Sequence, residues 1–176
     1  MLYVCSKAVT TLILISLLTA GCGRAPTRTT GEFEKYVQRF EEDSVKAGAP
    51  VKVTDILVER RVLGEGRMAM CSRSDTSDLD PPTVGVDGAI FASLTEVERQ
   101  AVISHELGHC VLHREHRDEE NEYGVPLSMM NSHSINMLLL ESNAEYYNEE
   151  LFKGPQVSPV KLETNHAEMV FPIVAK

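Results

Sequence analysis

The stretch Ser104–Glu119, SHELGHCVLHREHRDE, is the most informative part of the chain. It contains His105-Glu106-Leu107-Gly108-His109, the pattern H-E-x-x-H. On an α-helix, residues four apart lie on one face about one turn apart, so both imidazoles can reach a single Zn²⁺ at roughly 2.1 Å. Glu106 sits beside that face, where its carboxylate can act as general base toward a zinc-bound water. Histidines on a plain helix surface are the simpler alternative. A catalytic zinc takes three protein ligands and keeps one position open, so a third ligand is needed. If the helix simply continued, His105 and His113 would stand about 12 Å apart along its axis. Two atoms bound to one zinc are no more than about 4 Å apart. The chain therefore has to turn after Leu112 before any later residue can return to the ion.

Outward from this segment, Ser93-Leu94-Thr95-Glu96 has the S-x-x-E form of a capping box and predicts the start of a helix over 94–112. Upstream, β-branched residues over 51–58 and the run 68–71 predict two strands. The composition of 72–82 predicts a loop, and 83–91 a third strand interrupted by glycine. Phe33, Tyr36, Val37, Phe40 and Val45 recur at helical spacing, which predicts a helix over 31–47 stopped by Gly48 and Pro50. Downstream, 117–124 reads as an acidic loop. Solvation suits it better than Ca²⁺, although its carboxylates leave that alternative open. A closing helix is expected over 136–152, with Glu141 and Glu145 as an i,i+4 pair on it. Prolines at 155, 159 and 172 make 154–176 an irregular tail. The expected architecture is α+β: a small mixed β-sheet, an active-site helix and a C-terminal helix, in one domain over 31–153.

H-E-x-x-H followed closely by another histidine resembles the metzincin clan of zinc metallopeptidases, whose pattern is H-E-x-x-H-x-x-G-x-x-H. Leu112 stands where the pattern has glycine and Glu115 where it has the third histidine. HELGHCVLHREHRD is closer to a group of small exported, metzincin-like bacterial metallopeptidases, in which a turn one residue longer is followed by R-x-H. The resemblance implies that His113 makes the turn and that His116 is the third ligand beside His105 and His109. Histidine is among the non-glycine residues enriched at positive φ. The same resemblance implies a methionine-containing turn beneath the zinc. Ser128-Met129-Met130 fits it, with Met130 as the floor, although methionines usually serve as core gap-fillers. Leu140–Tyr146 offers an alternative, because it resembles the helix that donates a glutamate in gluzincins, with Glu141 as the ligand. His133 and His166 read as surface residues.

Residues 1–21 read as a signal peptide: Lys7 is the charge of a short n-region, and an apolar run ends in Leu18-Thr19-Ala20-Gly21-Cys22. The run is shorter than the roughly 20 apolar residues a membrane span needs. Ala20-Gly21-Cys22 resembles a bacterial lipobox, which implies a lipidated Cys22 and a polar tether over 22–30. Plain secretion is the alternative. Cys5 would leave with the signal peptide, so Cys71 and Cys110 remain as a candidate disulfide or as two buried thiols.

The chain has 176 residues with a net charge of −9 and 43% hydrophobic content, which fits one globular unit and disfavours a nucleic-acid partner. The expected function is that of a zinc-dependent endopeptidase acting on a peptide or protein substrate. The protein would be a monomer, exported and held at the bacterial cell envelope by its lipid. Tyr123, Tyr146 and Tyr147 are candidates to stabilise the oxyanion, and strand 83–91 could present an edge for an extended peptide. A non-enzymatic surface or envelope lipoprotein is the opposing reading; residues 105, 106 and 109 discriminate between the two.

Overall fold

A computed structural model describes residue 29 and residues 31–64, 66–74, 80–133 and 135–155. The expected signal peptide, Cys22, His166 and nearly all of the expected tail lie outside them. The described chain is α+β. A 3-10 turn (Gly31–Phe33) leads into α1 (Glu34–Lys46), followed by β1 (Leu57–Arg61), β2 (Ala69–Ser72) and β3 (Thr83–Asp87). Then come α2 (Gly88–Ser93), α3 (Glu96–Leu112), α4 (Met137–Ser142) and α5 (Ala144–Lys153).

The three strands form one mixed sheet in the order β1-β3-β2. β1 runs parallel to β3, with Leu57 opposite Thr83, and β2 runs antiparallel to it, with Cys71 opposite Val84. The core lies where this sheet, α1, α3 and α5 meet. It joins Tyr36, Val37 and Phe40 to Val58, Val84 and Val86, to Ile103 and Leu107, and to Tyr147 and Leu151. Phe91 makes edge-to-face contacts with Phe33 at 5.6 Å and Tyr36 at 5.7 Å between ring centroids. Such pairs add modestly to the area they bury.

Several expected boundaries shift for identifiable reasons. The strand expected over 51–58 begins only at Leu57. Ser44 Oγ and Glu41 Oε1 on α1 accept from the Val51 and Val53 N–H groups, which a strand partner would otherwise use. The strand expected over 83–91 stops at Asp87, whose carboxylate accepts from Ala89 and Ile90 N–H and so caps α2. The capping box falls on Thr95 and Glu98 instead of Ser93 and Glu96. Ser93 is used at the end of α2, its hydroxyl donating to Ile90 O. The closing helix is two helices, α4 and α5, which meet at Asn143 with φ −125° and ψ 28°. Thr29, assigned to the tether, belongs to the folded domain: it is buried, and its hydroxyl donates to Ile56 O and accepts from Val58 N–H.

Candidate metal centre

α3 carries the H-E-x-x-H residues in its last two turns and ends at His113, whose φ of 55° and ψ of 34° are left-handed. Among the described residues no other non-glycine residue has positive φ. The turn expected after Leu112 is therefore built, and the His113 and Arg114 N–H groups both close on Gly108 O. It redirects the chain so that His116 comes back over the helix.

The three Nε2 atoms converge: His105 to His109 at 3.2 Å, His105 to His116 at 3.3 Å and His109 to His116 at 3.1 Å. Three nitrogens bound to one tetrahedral ion at about 2.0–2.1 Å would be separated by roughly 3.3–3.4 Å, so the spacing suits a single small cation. The protonation pattern suits it too. His105 Nδ1 lies 2.9 Å from Met129 O and His109 Nδ1 2.6 Å from Arg114 O. A carbonyl can only accept, so Nδ1 carries the proton on both rings and each Nε2 presents a lone pair. Lone pairs facing each other at this distance repel unless a cation lies among them. Burial also holds His105 and His109 below the ordinary imidazole range, which keeps the rings neutral and able to ligate near pH 7. These three histidines can hold a metal ion.

Glu106 borders the same space. Its Oε2 accepts from the Cys71 backbone N–H at 2.7 Å. Burial raises its pKa above the ordinary carboxylate range, while the hydrogen bond from the Cys71 N–H and the electrostatic influence of the neighbouring His109 and His116 rings pull it back. One helical turn further on, Cys110 is disulfide-bonded to Cys71, with a Cα–Cα distance of 5.7 Å. The strand that holds the carboxylate is thus covalently tied to the helix that carries it.

Met130 is fully buried and packs beneath the helix at Gly108. A Cβ at position 108 would lie 2.6 Å from Met130 Sδ and 3.1 Å from Leu151 Cδ1, so only glycine allows this approach. The pattern H-E-x-x-H leaves position 108 unspecified. A glycine in the interior of a well-formed helix was the available signal, since it costs stability unless another element packs there.

A cleft of about 710 Å³ opens over the histidines, between the β2 segment and the loop that carries Met129, Asn131 and His133. His133, read as a surface residue, lines it and is itself exposed. Glu141 is exposed on α4 and stands outside the histidine cluster. None of the three candidate tyrosines lines the cleft. Tyr123 is exposed, while the Tyr146 and Tyr147 hydroxyls donate to Leu127 O and Pro126 O. β3 is the central strand and has no free edge. The edge beside the cleft belongs to β2. In the acidic loop, Asn121 Oδ1 accepts from Tyr123 and Val125 N–H, and Asp118 accepts from the Ser132 N–H and hydroxyl.

No protein-family model, curated protein or solved structure matches this chain.

Proposed function

We propose that the protein is a zinc-dependent endopeptidase of metzincin type. The reading is carried by the convergence of three histidine Nε2 atoms beside the Glu106 carboxylate, at the floor of an open cleft. His105, His109 and His116 would hold Zn²⁺, with three protein ligands and room for a fourth from solvent or substrate. Bound there, zinc would supply a Lewis acid for a peptide carbonyl and an acidified water.

The chain's own groups supply the rest. Glu106 accepts a proton from the attacking water and returns it to the departing amine, so one carboxylate serves as base and then as acid. Its raised pKa suits both roles better than that of an exposed glutamate would. The Cys71 N–H keeps one oxygen anchored. Substrate would lie along β2. Met68 O accepts from Asp87 N–H, and backbone groups of alternate residues face the partner strand. Ala69 therefore directs its N–H and carbonyl, and Cys71 its carbonyl, away from β3, while the Cys71 N–H is held by Glu106. An extended peptide can pair with that edge.

Among the described residues no helix is long and apolar enough to cross a membrane. Attachment to the cell envelope through lipid on Cys22 belongs to the same proposal. The test compares zinc content and casein cleavage for wild type and Glu106→Ala. Zinc retained with cleavage lost is expected. A wild type that binds zinc but cleaves nothing would leave a structural metal site, and one that takes up no zinc would overturn the reading entirely.

A further inference from the structure

Glu150 on α5 has no exposed surface, yet it is a carboxylate. Burying a charge is costly unless it is paired and its lone pairs are filled, and here they are. Oε1 accepts from Arg114 Nη2 at 2.6 Å and Arg117 Nη1 at 3.4 Å. Oε2 accepts from the Ser128 hydroxyl at 2.8 Å and the Met129 N–H at 3.2 Å. Arg114 Nη1 also donates to the carbonyls of Glu150 and Leu151.

The partners of Glu150 are the residues that orient the metal ligands. Met129, whose N–H it holds, offers its carbonyl to His105 Nδ1. Arg114, whose guanidinium it holds, offers its carbonyl to His109 Nδ1. Arg117 follows His116 directly and donates its N–H to Met130 O. One carboxylate thus joins the turn after α3 to the methionine segment, and each of these supplies one of the carbonyls that set the histidine tautomers. We infer that Glu150 is a positioning residue for the metal centre: it holds the Arg114 and Met129 peptides where His105 and His109 present Nε2 lone pairs to one ion. Hydrogen-bond partners of this kind set ring orientation and ligand basicity.

This inference rests on the three histidines binding a metal and not on the peptidase reading, so it is tested by metal affinity. Co²⁺ and Zn²⁺ dissociation constants would be measured on the full chain for wild type, Glu150→Gln, Ser128→Ala and Tyr147→Phe. Circular dichroism and thermal melts would report folding of each variant. Glu150→Gln should weaken both metals by about 10- to 100-fold in molecules that remain folded, with altered Co²⁺ visible bands. Ser128→Ala should weaken binding less, in the same direction. Tyr147→Phe removes a buried hydrogen bond on the same helix, and should lower the melting temperature while leaving affinity unchanged. A folded Glu150→Gln that binds within twofold of wild type would reduce Glu150 to a stability role and overturn the inference. Should Glu150→Gln fail to fold, wild-type affinity in Ser128→Ala would overturn it equally. Absence of metal binding in the wild type would overturn the metal centre and this inference together. Bound metal without peptide cleavage would refute only the peptidase reading.

Discussion

On one side of the cleft, α3 and the turn behind it carry all three histidines; on the other, β2 offers a strand edge. The helical side is held many times over. It has a capping box at Thr95–Glu98, a left-handed close at His113, carbonyl partners for two ligand rings, and Met130 packed at Gly108. The β2 side is a four-residue strand beside residues 66–68, paired to β3 and fastened to α3 by one disulfide and one hydrogen bond to Glu106. Under the proposed reading, in which the site binds a metal in one geometry and a peptide along a strand edge, that inequality serves both tasks. Ligands need fixed directions, whereas a substrate wall needs only a stable edge.

The largest effect should come from breaking the helical side. His116→Ala should weaken zinc binding by more than about 100-fold, beyond what loss of an outer hydrogen-bond partner causes, and should abolish cleavage. Glu141→Ala should leave both within twofold of wild type, because that carboxylate stands outside the cluster. Isothermal titration with zinc on the two variants checks this; loss of zinc in Glu141→Ala alone would transfer the third ligand to α4.

Breaking the β2 side should do something different. Replacing Cys71 and Cys110 with alanine removes a cross-link between residues 39 apart, worth about 4 kcal/mol in the chain-entropy view. Denaturant unfolding should register most of that loss. Zinc affinity should stay within a few-fold of wild type, while kcat/KM falls because the strand whose residue-71 N–H holds Glu106 is no longer tied to α3. Equal losses in metal affinity and turnover would mean that the two sides are one mechanical unit.

The smallest effect sharpens the account of the turn. His113→Gly should be neutral or stabilising by up to about 1 kcal/mol, since glycine adopts positive φ without the steric cost a side chain bears. Its zinc affinity should not change, because His113 contributes geometry and no ligand atom. A thermal melt and a zinc titration together would expose any hidden ligand role.

Much of the helical side was legible in the amino-acid order, because its rules act over one or two turns. Four-residue spacing brings His105 and His109 together, and the distance along a helix axis means that no residue from His113 onward can join them unless the chain turns. The pattern leaves Gly108 unspecified, and its reason lies in Met130 and Leu151, which pack against it from distant segments. Glu150 gave no signal at all: a glutamate near the end of an amphipathic helix reads as a solvated charge, and its partners lie more than 20 residues away.

On the sheet side, local patterning was enough to say that strands exist but not how they are ordered. Periodicity marks a residue as strand-like; it carries no information about which neighbour takes its N–H. Glu41 and Ser44 reach across from α1 and postpone β1, and Asp87 turns the end of β3 into the start of α2. The central position of β3, which hands the open edge to β2, likewise comes from pairing between distant segments. The helix and the pairing of His105 with His109 follow from short-range sterics and hydrogen-bond spacing, whereas His113 at the turn and His116 as the third member were read from a resemblance. The strand order, the buried carboxylate and the shape of the cleft arise only when segments far apart in sequence compete for the same backbone donors and the same core volume.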